Sequence, residues 1–309
     1  MAGSSGKISV VVPVFNEQKN IPVLYDALRK VFDRLARPYE ILFIDDGSTD
    51  ASFRVIREIS GQDGNIHGIS FSRNFGHQTA ILAGLERTTG ELIITMDADL
   101  QHPPEVIPLL IDKHLEGYQV VNTRRRDKKA SVFKRITSAL FYRLLNFFSD
   151  IRIPEASSDF RLMSRMALDA FLRFTERARF NRGLVGWMGF EQATLEYEAP
   201  ERHSGTTKYS FRKMRVLAVD GITSFSTRPL RISTYLGLIV FLAGFIYAVY
   251  SLIQYARGNT IPGWTSLMTV VLVIGGIQLL SLGIIGEYLA RVFNESKGRP
   301  LYFIKDQTR

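Results

Sequence analysis

No cysteine occurs in the 309 residues, so disulfide bonds and thiolate metal centres are both excluded, as suits a cytosol-facing chain. No Gly-x-Gly-x-x-Gly run follows any expected strand, which argues against a dinucleotide dehydrogenase. Acids are the scarcer charge, 30 against 39 bases, for a formal charge of +9. No basic–aromatic groove or nucleic-acid motif accompanies that excess, so no nucleic-acid partner is expected and the charge is read as directed at membrane and phosphate. The first seven residues are small and polar and lead into a strand, so no signal peptide is expected. Mean hydropathy is nonetheless close to zero, although 22% of the residues are charged. Segregation reconciles the two facts: the last third holds two long apolar stretches, and the rest reads as a soluble protein.

Residues 232–255 contain no acid or base, and residues 264–286 repeat the pattern. At ~1.5 Å per residue each stretch spans a hydrocarbon core of about 30 Å. Tyr255 and Trp264 stand near the ends as interfacial anchors. The link between the stretches carries one cation, Arg257. Arg228 and Arg231 precede the pair, and Arg291, Lys297, Arg299 and Lys305 follow it. The positive-inside rule then places both termini in the cytoplasm of a multi-pass inner-membrane protein. Gly275, Gly276, Ser281 and Gly283 permit close helix packing, within the chain or between subunits of a homo-oligomer. The expected division is a cytosolic domain at 1–230, a two-helix membrane domain at 231–290 and a cytoplasmic tail at 291–309.

The cytosolic part alternates strands and helices. Residues 8–14 form a β-branched run, and apolar residues then recur at helical spacing from Ile21 to Leu35. Strands are expected at 39–44, 66–71, 91–96 and 118–122, with helices at 51–60, 78–88 and 105–115. Alternating units with short turns imply an α/β fold with a mainly parallel sheet covered by helices on both faces. Residues 132–148 and 209–227 are amphipathic, and each reads equally as a core helix or as one lying in a membrane interface.

Three strands end in polar clusters: Phe15-Asn16-Glu17, Asp45-Asp46 and Asp97-Ala98-Asp99. An isolated Asp-x-Asp is ordinarily a turn in which the second carboxylate caps a helix. Parallel strands, however, bring these ends to one edge, where open α/β sheets bind ligands. Like charges repel unless a cation or hydrogen-bond donors offset them, so five carboxylates at one edge point to a site. The pair offers hard oxygen ligands to Mg2+ or Mn2+. The run 124–129 is densely basic. Ser157 to Arg161 is expected to precede a helix, for which the plain alternative makes Asp159 an N-cap. Arg202 to Lys208 combines cations, hydroxyls and a glycine in a loop suited to phosphate.

Val-Pro-Val-Phe-Asn-Glu, Asp-Asp-Gly-Ser-Thr-Asp, Asp-Ala-Asp-Leu-Gln and Ser-Asp-Phe-Arg-Leu, in this order, resemble the inverting family 2 glycosyltransferases of the GT-A (Rossmann-like) fold. With the Arg-x-x-Gly-x-x-Lys loop and the two spans, the chain is more narrowly similar to their polyprenyl-phosphate branch. That branch includes dolichyl-phosphate mannose synthases and bacterial bactoprenol glucosyltransferases, and residues 71–76 look closest to the latter. The Gln-x-x-Arg-Trp motif of processive synthases is missing. The resemblance implies that Pro13, Phe15, Glu17 and Asp46 hold the nucleotide and that Asp97 lies beside the ribose or donor sugar. It implies that Asp99 and Gln101 ligate the metal, and that Arg202 and Lys208 close over the diphosphate. Arg124, Arg135 and, one residue out of register, Ser138 would face the lipid phosphate. Asp159 matches the carboxylate proposed as general base.

The implied reaction moves one hexose, first of all glucose from UDP-glucose, onto the phosphate of a polyprenyl phosphate such as undecaprenyl phosphate. Other donors, a glycolipid-forming transferase and a non-catalytic nucleotide-sensing membrane subunit are the alternatives. A flippase and a glycosyltransferase beyond the membrane are the expected downstream partners. Because the acceptor phosphate has a second pKa near ~6, it needs little deprotonation, and Asp159 is expected to position arginines or to remove a residual proton.

Overall fold

In a computed structural model of the protein, the described residues are 6–125, 157–177, 179–198, 226–258 and 263–308. They begin with β1 (Ile8–Val14), α1 (Asn20–Leu35), β2 (Tyr39–Asp45), α2 (Ser52–Ser60), β3 (Ile66–Phe71), α3 (His77–Leu85) and β4 (Leu92–Thr95). A 3-10 turn (Pro104–Val106), α4 (Ile107–Leu115), β5 (Val120–Arg125), β6 (Ser157–Ser164), α5 (Arg165–Leu172), α6 (Asn181–Trp187) and β7 (Gln192–Tyr197) follow. The chain ends with α7 (Arg228–Ala256), α8 (Trp264–Ser296) and β8 (Ile304–Gln307). The amphipathic segments expected at 132–148, and at 209–227 apart from its last two residues, lie outside the described residues.

The strands form one sheet in the order β7-β5-β6-β4-β1-β2-β3-β8. Every residue of β1 is buried, and its alternation divides the core. Val10, Val12 and Val14 pack with Ile21, Leu24 and Leu28 of α1, while Val11 packs with α3 on the other face. A strand apolar on both faces needs helices on both, and this sequence supplies them.

The sheet is mixed. β6 runs antiparallel to both neighbours, and β8 runs antiparallel to β3. Residues 157–161 do precede a helix, α5, but Asp159 is not its cap, because 157–164 form the strand β6. Phe160 and Leu162 face one core and Met163 the other, the period-2 pattern of a strand buried on both sides. The helix cap lies further on, where Ser164 Oγ accepts from Ala167 N at 3.2 Å.

Pro13 shapes the edge. The carbonyl of Val11 accepts from Met96 N, so odd-numbered residues of β1 turn their backbone groups toward β4. Pairing with β4 ends at Val11 with Thr95, while pairing with β2 continues to Val14 with Asp45. Pro13 has no N–H to extend the β4 ladder, and the two strands part at this point. The chain has also reversed its strand order here, with β2 and β3 on one side of β1 and β4 on the other. A crevice outside the carboxyl ends of such strands is where open α/β sheets take ligands.

α7 and α8 are long and apolar enough to cross a bilayer, and contact each other as a hairpin. α8 continues eleven residues past Ile285, ~16 Å at helical rise. This extension reaches the sheet domain, where Glu295 accepts from Arg177 N at 2.8 Å. The segment expected as a tail then places β8 at the edge of the sheet beside β3.

Candidate active site

The crevice is built from turns stitched to one another. Asn16, at φ 58°, donates its N–H to Ser48 Oγ at 2.9 Å, and its side-chain oxygen accepts from Thr49 N at 2.9 Å. Glu17 N donates to Ser52 Oγ at 2.9 Å. The turns after β1 and β2 therefore form one unit, with Phe15 and Glu17 half-buried upon it. Asp45 is spent on structure, accepting from Ser48 N at 3.0 Å and from Ser70 Oγ at 2.6 Å.

Asp46 is buried and accepts from the amides of Phe75 at 2.6 Å and Gly76 at 3.0 Å. It thus fixes the loop that leads into α3. Burial raises its carboxyl above the ordinary value, against the lowering effect of the two amides. Gly47, at φ 70°, lets this loop approach: a Cβ there would lie 2.4 Å from the carbonyl carbon of Arg73.

The held loop delivers His77, whose Nε2 lies 2.8 Å from Asp97 Oδ1. Burial alone would lower the imidazole, but its bond to Asp97 and the nearby Asp159 push it up to about 9. Behind Asp97, its own backbone N–H donates to Nδ1 of His102 at 2.8 Å. That assigns the ring proton to Nε2, which donates to Ser158 Oγ at 2.7 Å. His102 is buried and stacks on Phe160, so it ties the Asp97 turn to β6. Burial would raise Asp97's carboxyl, yet the His102 and His77 rings hold it below the ordinary value.

Asp99 Oδ1 accepts from Gln101 N at 3.1 Å across Leu100, a non-glycine residue at φ 63°. Gln101 Oε1 accepts from Arg125 Nη1 at 3.0 Å. Arg124, one residue earlier on β5, points elsewhere and lies 4.0 Å from Glu196. Among the described residues no three His, Cys, Asp or Glu side chains group as a metal cage. Two or three hard oxygens at one turn nevertheless fit Mg2+ or Mn2+, which completes its shell with phosphate and water.

The register of β4 with β6 pairs Thr95 with Arg161; carried two residues on, it sets Asp159 beside Asp97. Asp159 is buried between two guanidinium groups. Arg161 Nη2 donates to it at 3.1 Å, and Arg182 donates through Nε at 3.2 Å and Nη2 at 3.0 Å. Gln78 Nε2 adds a fourth donor at 3.3 Å. Burial would raise this carboxyl, but Arg182 and Arg161 outweigh it and hold it far below the usual range. Asn181 lines the same small cavity as Asp159 and Arg161, and its buried amide has no partner among the described residues.

The structure thus brings Pro13, Phe15, Glu17, Asp46, Asp97, Asp99, Gln101 and Asp159 to one edge and sets Arg124 apart at β5. Arg135, Ser138, Arg202 and Lys208 lie outside the described residues. Sequence reasoning missed His77, His102, Arg125 and Arg182. Two carried a local signal: His102, directly after the acidic turn, and Arg125, within the basic run 124–129.

A crevice of this build, at a topological switch point with acidic turns and basic neighbours, is where an open α/β sheet takes its ligand. Residues 9–172 match glycosyl transferase family 2, and the chain belongs to that family. Residues 228–292 match the GtrB C-terminal hairpin. The chain is 46% identical to the uncharacterized glycosyltransferase YkcC of Bacillus subtilis, over 96% of this chain and 93% of that one. It is 43% identical to the bactoprenol glucosyl transferase of Shigella phage SfX, over 97% of this chain and 99% of that one. The prophage bactoprenol glucosyl transferase homolog of Escherichia coli is likewise 43% identical, over 97% and 98%. Among solved structures, mannosyl-3-phosphoglycerate synthase from Rubrobacter xylanophilus superposes with a TM-score of 0.47 at 17% identity, covering 70% of this chain and 71% of that one. So distant a likeness carries no information on substrate.

Proposed function

We propose that the protein is an inverting hexosyltransferase that moves glucose from UDP-glucose to the phosphate of a polyprenyl phosphate, giving a β-linked lipid. The observation that carries this reading is the 43% identity to named bactoprenol glucosyl transferases along nearly the whole of both chains, hairpin included.

A phosphate oxygen of the acceptor forms the new bond to the anomeric carbon. The bond to the diphosphate breaks, and its electron pair leaves on UDP. Since a phosphate monoester is largely dianionic at neutral pH, no proton has to move. The barrier is the charge gathering on the leaving group. A divalent ion held by Asp99 and Gln101 would supply Lewis-acid stabilisation of that charge. Glu17, Phe15 and the turn fixed by Asp46 seat the nucleotide. Asp97, oriented by His77 and His102, borders the sugar. By the family resemblance, Arg202 and Lys208 would close over the diphosphate, and Arg135 and Ser138 would face the lipid phosphate; Arg124, turned toward Glu196, is left out of that group.

The acceptor's tail stays in the bilayer, so the site must lie against it. The return of β8 to the sheet supports an even number of crossings, and the basic flanks of both helices support a cytoplasmic catalytic domain. The product then forms on the cytoplasmic leaflet, and a flippase and a second transferase use it beyond the membrane.

The test is incubation of the purified chain with undecaprenyl phosphate, Mg2+ or Mn2+, and each of UDP-glucose, UDP-N-acetylglucosamine, GDP-mannose and UDP-modified arabinose. Formation of a β-glucosyl lipid is the expected result. A product made only from another donor replaces glucose, and no lipid product from any donor overturns the reading.

A further inference from the structure

Arg182 sits on the opposite side of Asp97 from the nucleotide turns. Along the edge the order is β2, β1, β4, β6, so Asp46 and Asp159 stand three strand steps apart. At about 4.8 Å per step this is ~14 Å, room for a diphosphate and a sugar between them. A single displacement requires the nucleophile to approach the anomeric carbon from the side away from the leaving group. With the nucleotide on the β1–β2 turns and the diphosphate at the Asp99 turn, that approach comes from the β6 side.

Two guanidinium groups and one carboxylate meet there. Arg161 has only 4% of its side chain exposed and serves as the buried counter-ion of Asp159. Arg182, whose side chain is 24% exposed, brings the second positive charge. Its fork lies along Asp159, so the orientation of the guanidinium plane is set before any substrate arrives. Such a group is built to receive a phosphate dianion. Asp159, already accepting from three side chains, has no lone pair reserved for a substrate proton.

We propose that Arg182 binds the phosphate of the lipid acceptor, with Asp159 as its positioning residue and not as the base of the reaction. This rests on the polyprenyl-phosphate reading, but not on glucose as the donor sugar. The rival source of the same chemistry is the diphosphate of the donor.

The test uses the full chain in detergent, with Arg182→Gln, Arg182→Lys and Asp159→Asn. Equilibrium binding of labelled short-chain polyprenyl phosphate is measured beside binding of UDP. Arg182→Gln is expected to weaken lipid-phosphate binding by roughly 10- to 100-fold with UDP binding unchanged, since a charge-assisted hydrogen bond is lost. Arg182→Lys should recover part of it. In turnover, Asp159→Asn should raise the KM for the acceptor, and by the same factor at pH 6 and pH 8.5. The groups facing Asp159 are Arg161, Arg182 and His77, cationic across most of that range, and Asp97, anionic throughout it.

If Arg182→Gln weakens UDP binding and spares the lipid phosphate, the arginine serves the leaving group and the proposal is overturned. A defect of Asp159→Asn confined to acid pH restores a proton-accepting role and also overturns it. A wild-type chain that binds polyprenyl phosphate in an Arg182-dependent way but transfers no glucose upholds the proposal and sinks only the donor assignment.

Discussion

At Glu40 four donors converge on one buried carboxylate: Lys7 Nζ at 2.6 Å, Ser9 Oγ at 2.5 Å, and the amide and hydroxyl of Thr89 at 2.7 and 2.9 Å. Burial would raise its pKa, but the donors lower it to about 2. A depressed carboxyl contributes stability that is present above its unfolded value and is lost as pH falls through the folded one. Relative to an unfolded value of about 4.3, the shift corresponds to about 3 kcal/mol at neutral pH. Glu40→Gln should therefore lower the unfolding temperature of the full chain in detergent at pH 7, and the gap to wild type should close as pH drops from 4.3 toward 2. Nothing in the local sequence marks Glu40, because its partners come from two distant segments, 7–9 and 89. Asp99, by contrast, announces itself in Asp-Ala-Asp. Asp99→Ala should cut transfer by about 10³-fold, the scale of losing a key electrostatic stabiliser. Wild-type activity should vanish on chelation and return with Mg2+ or Mn2+. A variant that keeps wild-type turnover would remove Asp99 from the metal site.

β8 is the element whose importance its sequence hides. Four residues after a membrane hairpin look like a tail, yet they pair with β3, and Tyr302 stacks on Phe71 at 4.8 Å. The carbonyl of Phe303 accepts from Ser72 N at 2.9 Å, at the start of the loop that Asp46 holds and His77 ends. The C-terminal strand and the donor turn thus brace the same six residues. Deleting 301–309 is expected to raise the KM for UDP-glucose several-fold and to lower the unfolding temperature. Unchanged kinetics in a stably folded truncation would show that the loop stands alone. Gly47→Ala should act on the same loop from its other side, because the methyl would meet the backbone of Arg73. β1 and β4 were legible as β-branched runs, and β2 and β3 as short apolar stretches, all ended by turn residues. β6 was not: Ser-Ser-Asp offers a cap pattern, and only pairing between β4 and β5 makes a strand of it.

For the whole molecule, the sheet domain meets the two-helix hairpin at the far end of α8, while a second bond closes the hairpin on itself. Ser226 accepts from Tyr288 Oη at 2.7 Å before the first helix, and Glu295 reaches Arg177 after the second. The lack of cysteine makes the topology easy to read. Arg257→Cys should react with a membrane-impermeant maleimide in intact cells, and Lys297→Cys only after permeabilisation. The opposite labelling pattern would invert the orientation, and equal labelling of both would exclude a spanning hairpin.

Periodicity, strand-end acids and uninterrupted apolar runs are local properties, and from them the sequence by itself determined the alternating fold, the shared acidic edge and the two membrane-length helices. Pairing partners are not local. Which carboxylates stay structural, as Asp45 does, and which arginine reaches the site depend on residues brought together from distant segments. So do the insertion of β6 and the return of β8. Only the tertiary structure decided that Asp159 lies between Arg161 and Arg182, because a carboxylate's chemistry is set by the charges packed around it and not by its neighbours in the chain.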